Sequence, residues 1–190
     1  LLGYNSRFGS DMPALEDYDL IANGLEMSIK RLDALSINGV HVSSSRIRNA
    51  LLSGSLNDAN AMLGRPYSLS GTVVHGRGVG HNLGFPTANL QSVEADLLIP
   101  TNGVYAVRIT YSGHLFDAML NIGQRPTIHT ADHQRTIEAH LLDFSGDLYG
   151  QQLDIDFIDR VRDEQTFRSY DLLHHQLVAD SREVRRILHQ

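Results

Sequence analysis

The residues best suited to chemistry lie in one stretch, His75 to Leu90, which reads HGRGVGHNLGFPTANL. Gly76, Gly78, Gly80 and Gly84 run directly into Phe85-Pro86-Thr87-Ala88-Asn89. Glycines let a backbone approach a bulky polyanion and turn its N–H groups toward phosphate oxygens. Thr87 and Asn89 then supply two oxygen-bearing side chains. On an extended segment their spacing puts both on one side, with Ala88 facing away. Hard oxygen donors beside a phosphate-sized loop suit Mg2+, which takes few protein ligands and fills its shell from phosphate and water. The chemistry indicated is the handling of a nucleoside triphosphate; the alternative is an ordinary glycine-rich hairpin connection. Two familiar phosphate motifs are excluded. No Gly-Lys-Ser/Thr follows, and Pro86 forbids the uninterrupted helix of a Rossmann turn. Lys30 is the only lysine, so phosphate charge must be met by arginine, backbone amides and metal.

Phosphorylating an alcohol needs a positioned triphosphate, charge neutralisation and a base for the hydroxyl proton. Glu138 is the candidate base. On a strand over Thr136–Asp143, Ile137, Ala139 and Leu141 point one way and Glu138 and His140 the other. An outward glutamate is otherwise solvated surface. His140 either orients Glu138 or is a half-buried strand residue. Asn121 is either a polar neighbour of the site or a strand-end cap. Arg162, Asp163 and Glu164, before the last helix, can also be read as a charged turn with helix-start chemistry. Ser43, Ser44 and Ser45 are helix caps first; a helix N-terminus flanked by two arginines, here Arg46 and Arg48, is also a phosphate site.

The elements that must position these groups change character near Gly64-Arg65-Pro66, which sets a boundary between residues 1–64 and 65–190. The first part reads as helical after a short opening strand and loop. Ile47, Ala50 and Leu51 share a face of a helix that ends near Gly54. Asn57 is placed to cap a second helix running through Leu63. Beyond the boundary the period becomes two. Strands are expected over Ser68–His75, Val104–Tyr111, Leu115–Ile122, Thr136–Asp143 and Gln151–Arg160. Five or six short strands in so few residues suggest a small closed barrel. A final helix, Ser169 to Leu188, carries Leu172, Leu173, Leu177, Val178, Val184, Ile187 and Leu188 at three- and four-residue spacing.

Composition narrows the classes. A net charge of −6 opposes a nucleic-acid backbone, whose binding depends on clustered Lys and Arg. An oligonucleotide-binding barrel therefore has only Gly76-Arg77-Gly78 in its favour. No run approaches the ~20 apolar residues of a membrane helix. The chain has no cysteine, which removes disulfides and thiolate metal sites and fits a cytoplasmic protein. Its opening Leu1-Leu2-Gly3 has neither an initiator Met nor a basic leader, and so reads as an internal fragment or processed end. His174 and His175 are adjacent on a helix and point about 100° apart, which disfavours a shared metal.

Gly-x-Gly-x-Gly followed by Leu83-Gly84-Phe85-Pro86-Thr87-Ala88-Asn89 resembles the signature of riboflavin kinases. Further matches follow in the family's order: Gly103-Val104-Tyr105-Ala106, Asn121-Ile122-Gly123 with Pro126-Thr127, Glu138-Ala139-His140, Asp147-Leu148-Tyr149-Gly150, and Arg162-Asp163-Glu164 with Phe167, Ser169 and Leu172. Leu2-Gly3-Tyr4 through Arg7-Phe8-Gly9, and Val42 through Arg48, resemble the late portion of the adenylyltransferase domain of bifunctional bacterial FAD synthetases. Ser45 stands where that family more often has Thr, and Tyr4-Asn5-Ser6 where it has Asp-Phe.

The resemblance implies a mainly β fold. A six-stranded antiparallel Greek-key barrel with a C-terminal helix would follow an α-rich remnant of an α/β nucleotidyltransferase domain. It implies transfer of ATP's γ-phosphoryl group to the ribityl 5′-hydroxyl of riboflavin, giving FMN and ADP. Glu138 would be the catalytic residue, and Thr87 an Mg2+ ligand with Asn89 at the metal–nucleotide–hydroxyl junction. The Gly76–Gly84 loop would cover the phosphates, with Arg162 and Glu164 on the flavin side. Ser43, Ser44 and Arg46 would belong to the segment that holds phosphates during adenylyl transfer. The family's FAD-forming step uses a His-x-Gly-His motif that these residues do not contain, so adenylylation of FMN is expected of a full-length parent and not of this chain. A non-catalytic flavin-binding module is the alternative, against which intact Thr87, Asn89 and Glu138 stand. Small-molecule substrates are the expected partners; oligomeric state is not legible.

Overall fold

Alternating apolar and polar residues become, in the computed structural model of the chain, six strands wound into a closed barrel. The structure describes residues 22–25, 27–28, 33–37, 39–76, 80, 83–92, 97–125 and 134–189. The chain divides into two compact units, Leu1–Ser43 and Ser44–Gln190. In the first, β1 (Ser36–Ile37) and β2 (Val40–His41) form an antiparallel ribbon turned at Gly39, with φ +76°. A helical reading of residues 1–64 misses this ribbon, because strands of two residues are too short to display a period. The Leu2–Gly9 segment lies outside the described residues.

The second unit opens with α1 (Ser44–Ser53) and α2 (Leu56–Leu63). Left-handed glycines follow each helix, Gly54 at φ +84° and Gly64 at φ +68°. Asn57 is not the cap. Ser55 precedes α2, and the Asn57 amide instead donates to Asp159 Oδ1 at 3.1 Å. Asn60 donates to Phe157 O and accepts from Tyr67 N, both at 2.8 Å, and so fixes α2 to the barrel strands that begin at Tyr67 and Gln152.

The barrel strands are β3 (Tyr67–Val74), β4 (Ala88–Ser92), β5 (Gly103–Tyr111), β6 (His114–Arg125), β7 (Gln134–Leu141) and β8 (Gln152–Arg162). Around the barrel they run β3-β4-β7-β6-β5-β8, and every neighbouring pair is antiparallel. β5, β6 and β7 make a meander, and β8 returns to lie between β5 and β3. Period two sends Tyr105, Val107 and Ile109, Leu120 and Ile122, Ile137 and Ala139, and Leu153, Ile155 and Phe157 inward, where all are buried. Ala50, Leu51, Leu56 and Ala59 of the two helices belong to the same apolar cluster. Thr101 N donates to Leu51 O at 3.1 Å, satisfying a carbonyl that the end of α1 leaves open.

β4 is the strand that alternation alone did not mark. The expected strand to Asp143 stops at Leu141, because Asp143 turns into the left-handed region at φ +57°. The last helix, α3 (Tyr170–Leu188), is capped by Ser169, whose hydroxyl accepts from Leu172 N. It packs on the outside of the barrel through a second cluster, Val184 and Leu188 against Val104, Ala106, Met119 and Leu142. Leu172 is not part of this stripe. It is 54% exposed, one 100° step away from the face that carries Leu173, Leu177 and Val184.

Candidate functional site

Outward-facing residues of five adjacent strands share one register row. Asn89 pairs with Glu138, Glu138 with Asn121, Asn121 with Val104, and Val104 with Arg162. Neighbours in such a row stand about 5 Å apart at Cβ. The row faces α3 and the 163–169 segment that leads into it, and between them lies a cavity of about 620 Å³. Gly80, Thr87, Asn121, Glu138, Arg162 and Glu164 all line it. Asn89 ends the row, 9% exposed, beneath Gly76, where a Cβ would overlap its amide. Gly84 turns the chain at φ +76°. Gly78 and the Pro126-Thr127 pair lie outside the described residues. Ser44 and Arg46, exposed at the start of α1, do not line the cavity, and Ser43 belongs to the first unit.

Thr87 owes its place to its neighbours. Phe85 N and Leu83 N both donate to Gly80 O, at 2.9 and 3.1 Å, and a Cβ on Gly80 would overlap Phe85 O. His140 is 2.8 Å from Pro86 O through Nδ1, and because a carbonyl only accepts, Nδ1 carries the proton. The Phe85 ring meets His140 edge-on at 5.2 Å and His174 at 6.0 Å. His140 thus anchors the segment that presents Thr87.

Arg162 is held by a carboxylate that sequence reasoning missed. Its Nε lies 2.9 and 3.1 Å from the Asp180 oxygens, and a terminal nitrogen makes 2.7 Å to Oδ2. Asp180 is 2% exposed and accepts also from Gln176 at 2.8 Å. A carboxylate that buried requires such partners. The signal was present in the sequence: Asp180 occupies a stripe position between Leu177 and Val184, where an acid has no place unless something opposes it. Phe167 adds a ring 5.9 Å from the guanidinium carbon.

Glu164 is also engaged. Oε1 accepts from Gln124 N at 3.2 Å and Oε2 from the Asn102 amide at 3.0 Å. Asn102 Oδ1 in turn accepts from Arg135 Nε at 3.2 Å. Arg135 donates further to Ile99 O and Pro100 O, and burial pulls its guanidinium below its ordinary value. Burial pushes the Tyr105 phenol up, and its hydroxyl donates to Thr101 O at 2.5 Å. The 99–102 loop is thereby fixed between β5, β7 and the 163–169 segment.

The barrel side of the site carries Thr87, Glu138 and Asn121 with Val104 and Met119 beside them, and Phe167, Leu173 and Leu177 line it from the 163–169 segment and α3. Such a cavity accepts a flat apolar body whose polar end reaches the carboxylate. Among the described residues no group of three or more His, Asp or Glu is gathered to hold a metal, so a cation here would rest on the neutral oxygens of Thr87 and Asn89 and on its ligand.

Residues 63–188 match the family model described as "Flavokinase: Riboflavin kinase". The chain is 35% identical over 182 residues to the bifunctional riboflavin kinase/FMN adenylyltransferase of Pseudomonas fluorescens, covering 94% of this chain and 57% of that protein. The protein of the same name from Bacillus subtilis is 38% identical over 143 residues, 75% of this chain and 45% of its own. The chain thus spans about half the length of these relatives. A crystal structure of a macrolide-efflux protein from Streptococcus pneumoniae superposes with a TM-score of 0.86 at 33% identity, over 96% of this chain and 58% of that one.

Proposed function

Since the chain belongs to the riboflavin kinase family, we propose that it transfers the γ-phosphoryl group of ATP to the ribityl 5′-hydroxyl of riboflavin, releasing FMN and ADP. The pairing of Glu138 with Asn121 on the lining of the cavity, beside Thr87 and with Asn89 next to Glu138 in register, carries this reading. It puts a carboxylate for the hydroxyl proton next to hard oxygen donors for the metal–phosphate group and beside an apolar slot for the acceptor's ring.

In this scheme the flavin ring lies against Val104, Met119 and Phe167 and its ribityl tail runs toward Glu138. The Glu138 carboxylate accepts the 5′-hydroxyl proton as the new O–P bond forms and the bond from γ-phosphorus to the bridging oxygen breaks. Thr87 and Asn89 fit Mg2+, since the donor set is hard, neutral and small, and leaves most of the shell to phosphate and water. Bound there, Mg2+ would offset charge on the β- and γ-phosphates. The glycine loop through Gly76 and Gly80 gives the backbone its close approach to those phosphates. Arg162, tied to Asp180, shapes the flavin side rather than offering an open cation.

Residues 65–190 would form the kinase domain. Residues 1–64, with Ser43, Ser44 and Arg46, would be the end of an adenylyltransferase domain whose longer parent converts FMN to FAD. A requirement for MgATP supports a cytoplasmic setting. Among the described residues no helix is long and apolar enough to cross a membrane. The test is direct: incubate the purified chain with riboflavin and MgATP and separate the flavins by chromatography. FMN appearing in step with ADP supports the assignment; riboflavin recovered unchanged, with the chain folded and binding it, leaves a flavin-binding module.

A further inference from the structure

We propose that Glu164 does not contact the flavin but acts as a latch, a positioning residue that seats the 163–169 segment against β6 and so sets the width of the apolar slot. The inference rests on the kinase reading above. Its physical basis is the occupation of both carboxylate oxygens by donors of the scaffold, Gln124 N at 3.2 Å and the Asn102 amide at 3.0 Å. A glycine makes room for the seat. Gly123 has an ordinary strand conformation in β6, yet a Cβ there would overlap Glu164 Oε1 and stand 3.2 Å from the Asn121 amide. Its missing side chain is explained by space for the carboxylate, not by backbone torsion.

The polarity of the latch is fixed from behind. Asn102 presents its nitrogen to Glu164 because its oxygen is held by Arg135 Nε at 3.2 Å, and its backbone carbonyl accepts from Arg160 at 2.8 Å. Asn102 therefore cannot flip to meet a donor at position 164 without turning its own donor toward a guanidinium. The 163–169 segment that the latch holds supplies Phe167 and the cap of α3, and it follows directly on Arg162, whose carboxylate partner sits on α3. Release of Glu164 frees the segment between two fixed points, Asp163, which Arg160 holds at 2.5 Å, and Ser169, and loosens the wall that faces Val104 and Met119.

A polarity swap tests this. Glu164→Gln leaves one acceptor for two donors, so its amide nitrogen meets either the Asn102 amide or Gln124 N, and Asn102→Asp sets two carboxylates against each other. The double variant Asn102→Asp/Glu164→Gln restores one donor and one acceptor, with Arg135 still served. Riboflavin affinity is read by quenching of flavin fluorescence in the presence of MgADP, and KM and kcat by FMN formation. Each single variant is expected to raise the riboflavin Kd and KM about fivefold or more, as for charge-assisted hydrogen bonds partly open to water, with the KM for ATP unchanged. The double variant is expected to return within about twofold of wild type. Gly123→Ala, which displaces the carboxylate without altering its chemistry, should repeat the single-variant effect and supplies the readout if Glu164→Gln does not fold. Wild-type riboflavin affinity in Glu164→Gln, or a double variant no better than the worse single, overturns the latch. A wild-type chain that binds no riboflavin overturns the kinase reading itself, and the latch with it.

Discussion

Glu138 draws its proposed role from where it stands: half-buried at mid-strand, between Asn89 and Asn121 in register, with apolar residues before and after it. Glu138→Gln preserves shape and hydrogen-bonding reach but cannot accept a proton. Turnover is expected to fall about 10²-fold or more with an unchanged melting temperature, the usual scale for a positioned general base. Steady-state FMN formation checks this, and turnover like that of the parent chain would remove Glu138 from the role. Thr87→Ala acts on a different term. The rise in melting temperature that MgATP confers should shrink, while the small effect of ATP with EDTA stays the same. An undiminished rise would make Thr87 a turn residue only. Both side chains were legible in the sequence because their types and spacing carry chemistry. Val104 and Met119 were not. They look like core residues of a strand, and only the register shows that they face outward, beneath a helix.

Two ion pairs fix the helix that closes the site, and they differ in kind. Arg162 and Asp180 form a mostly buried pair, so Asp180→Ala leaves a guanidinium with 16% of its side chain exposed and no counter-charge. The variant should be destabilised by about 3 kcal/mol, the lower end for such a loss because water reaches the arginine, as measured by denaturant unfolding. An unchanged midpoint would mean that the pair does not hold α3. Arg185 and Asp143 instead meet on the surface, where Arg185 hydrogen bonds at 2.7 and 2.8 Å hold the Asp143 carboxyl below its ordinary value. A carboxyl depressed on folding stabilises the fold above the unfolded-state pKa of about 4, and that contribution is lost as pH falls through the folded value. Asp143→Asn tolerates the left-handed backbone and removes the charge. Its melting temperature should lie slightly below that of the parent at pH 7, and the difference should vanish toward about pH 2. A gap that persists in acid would assign the effect to packing. The helix itself was readable from its period. Asn57 as a cap was not a sound expectation, since a polar residue at a helix start serves equally to reach across to a strand, and Asp159 decides the matter only in three dimensions.

The parent architecture was readable for a physical reason: closing a small barrel forces strict inward–outward alternation, which local sequence displays. Strand order and register were not, because the partners of β8 lie far away in sequence. Tyr67 pairs with Phe157 and Val104 with Arg162, and no local pattern encodes either. For the molecule as a whole, adenylyl transfer should be absent. An anion can rest at a helix start near Ser44 and Arg46, yet that reaction also needs donors aimed at the α-phosphate and the departing pyrophosphate. Incubation of the 190-residue chain with FMN and MgATP is expected to give neither FAD nor pyrophosphate. Enzyme-dependent FAD would show that these residues hold a complete second site. The order β3-β4-β7-β6-β5-β8 has one more consequence, for the chain during its synthesis. The strand that closes the ring is made last, so a nascent chain emerging from the ribosome carries two unpaired strand edges, on β3 and β5, until residue 162 is clear of the exit tunnel. Such edges recruit other strands. Translation paused between β7 and β8 should therefore yield an aggregation-prone, chaperone-dependent nascent chain, and emergence of the residues through Arg162 should make it self-sufficient.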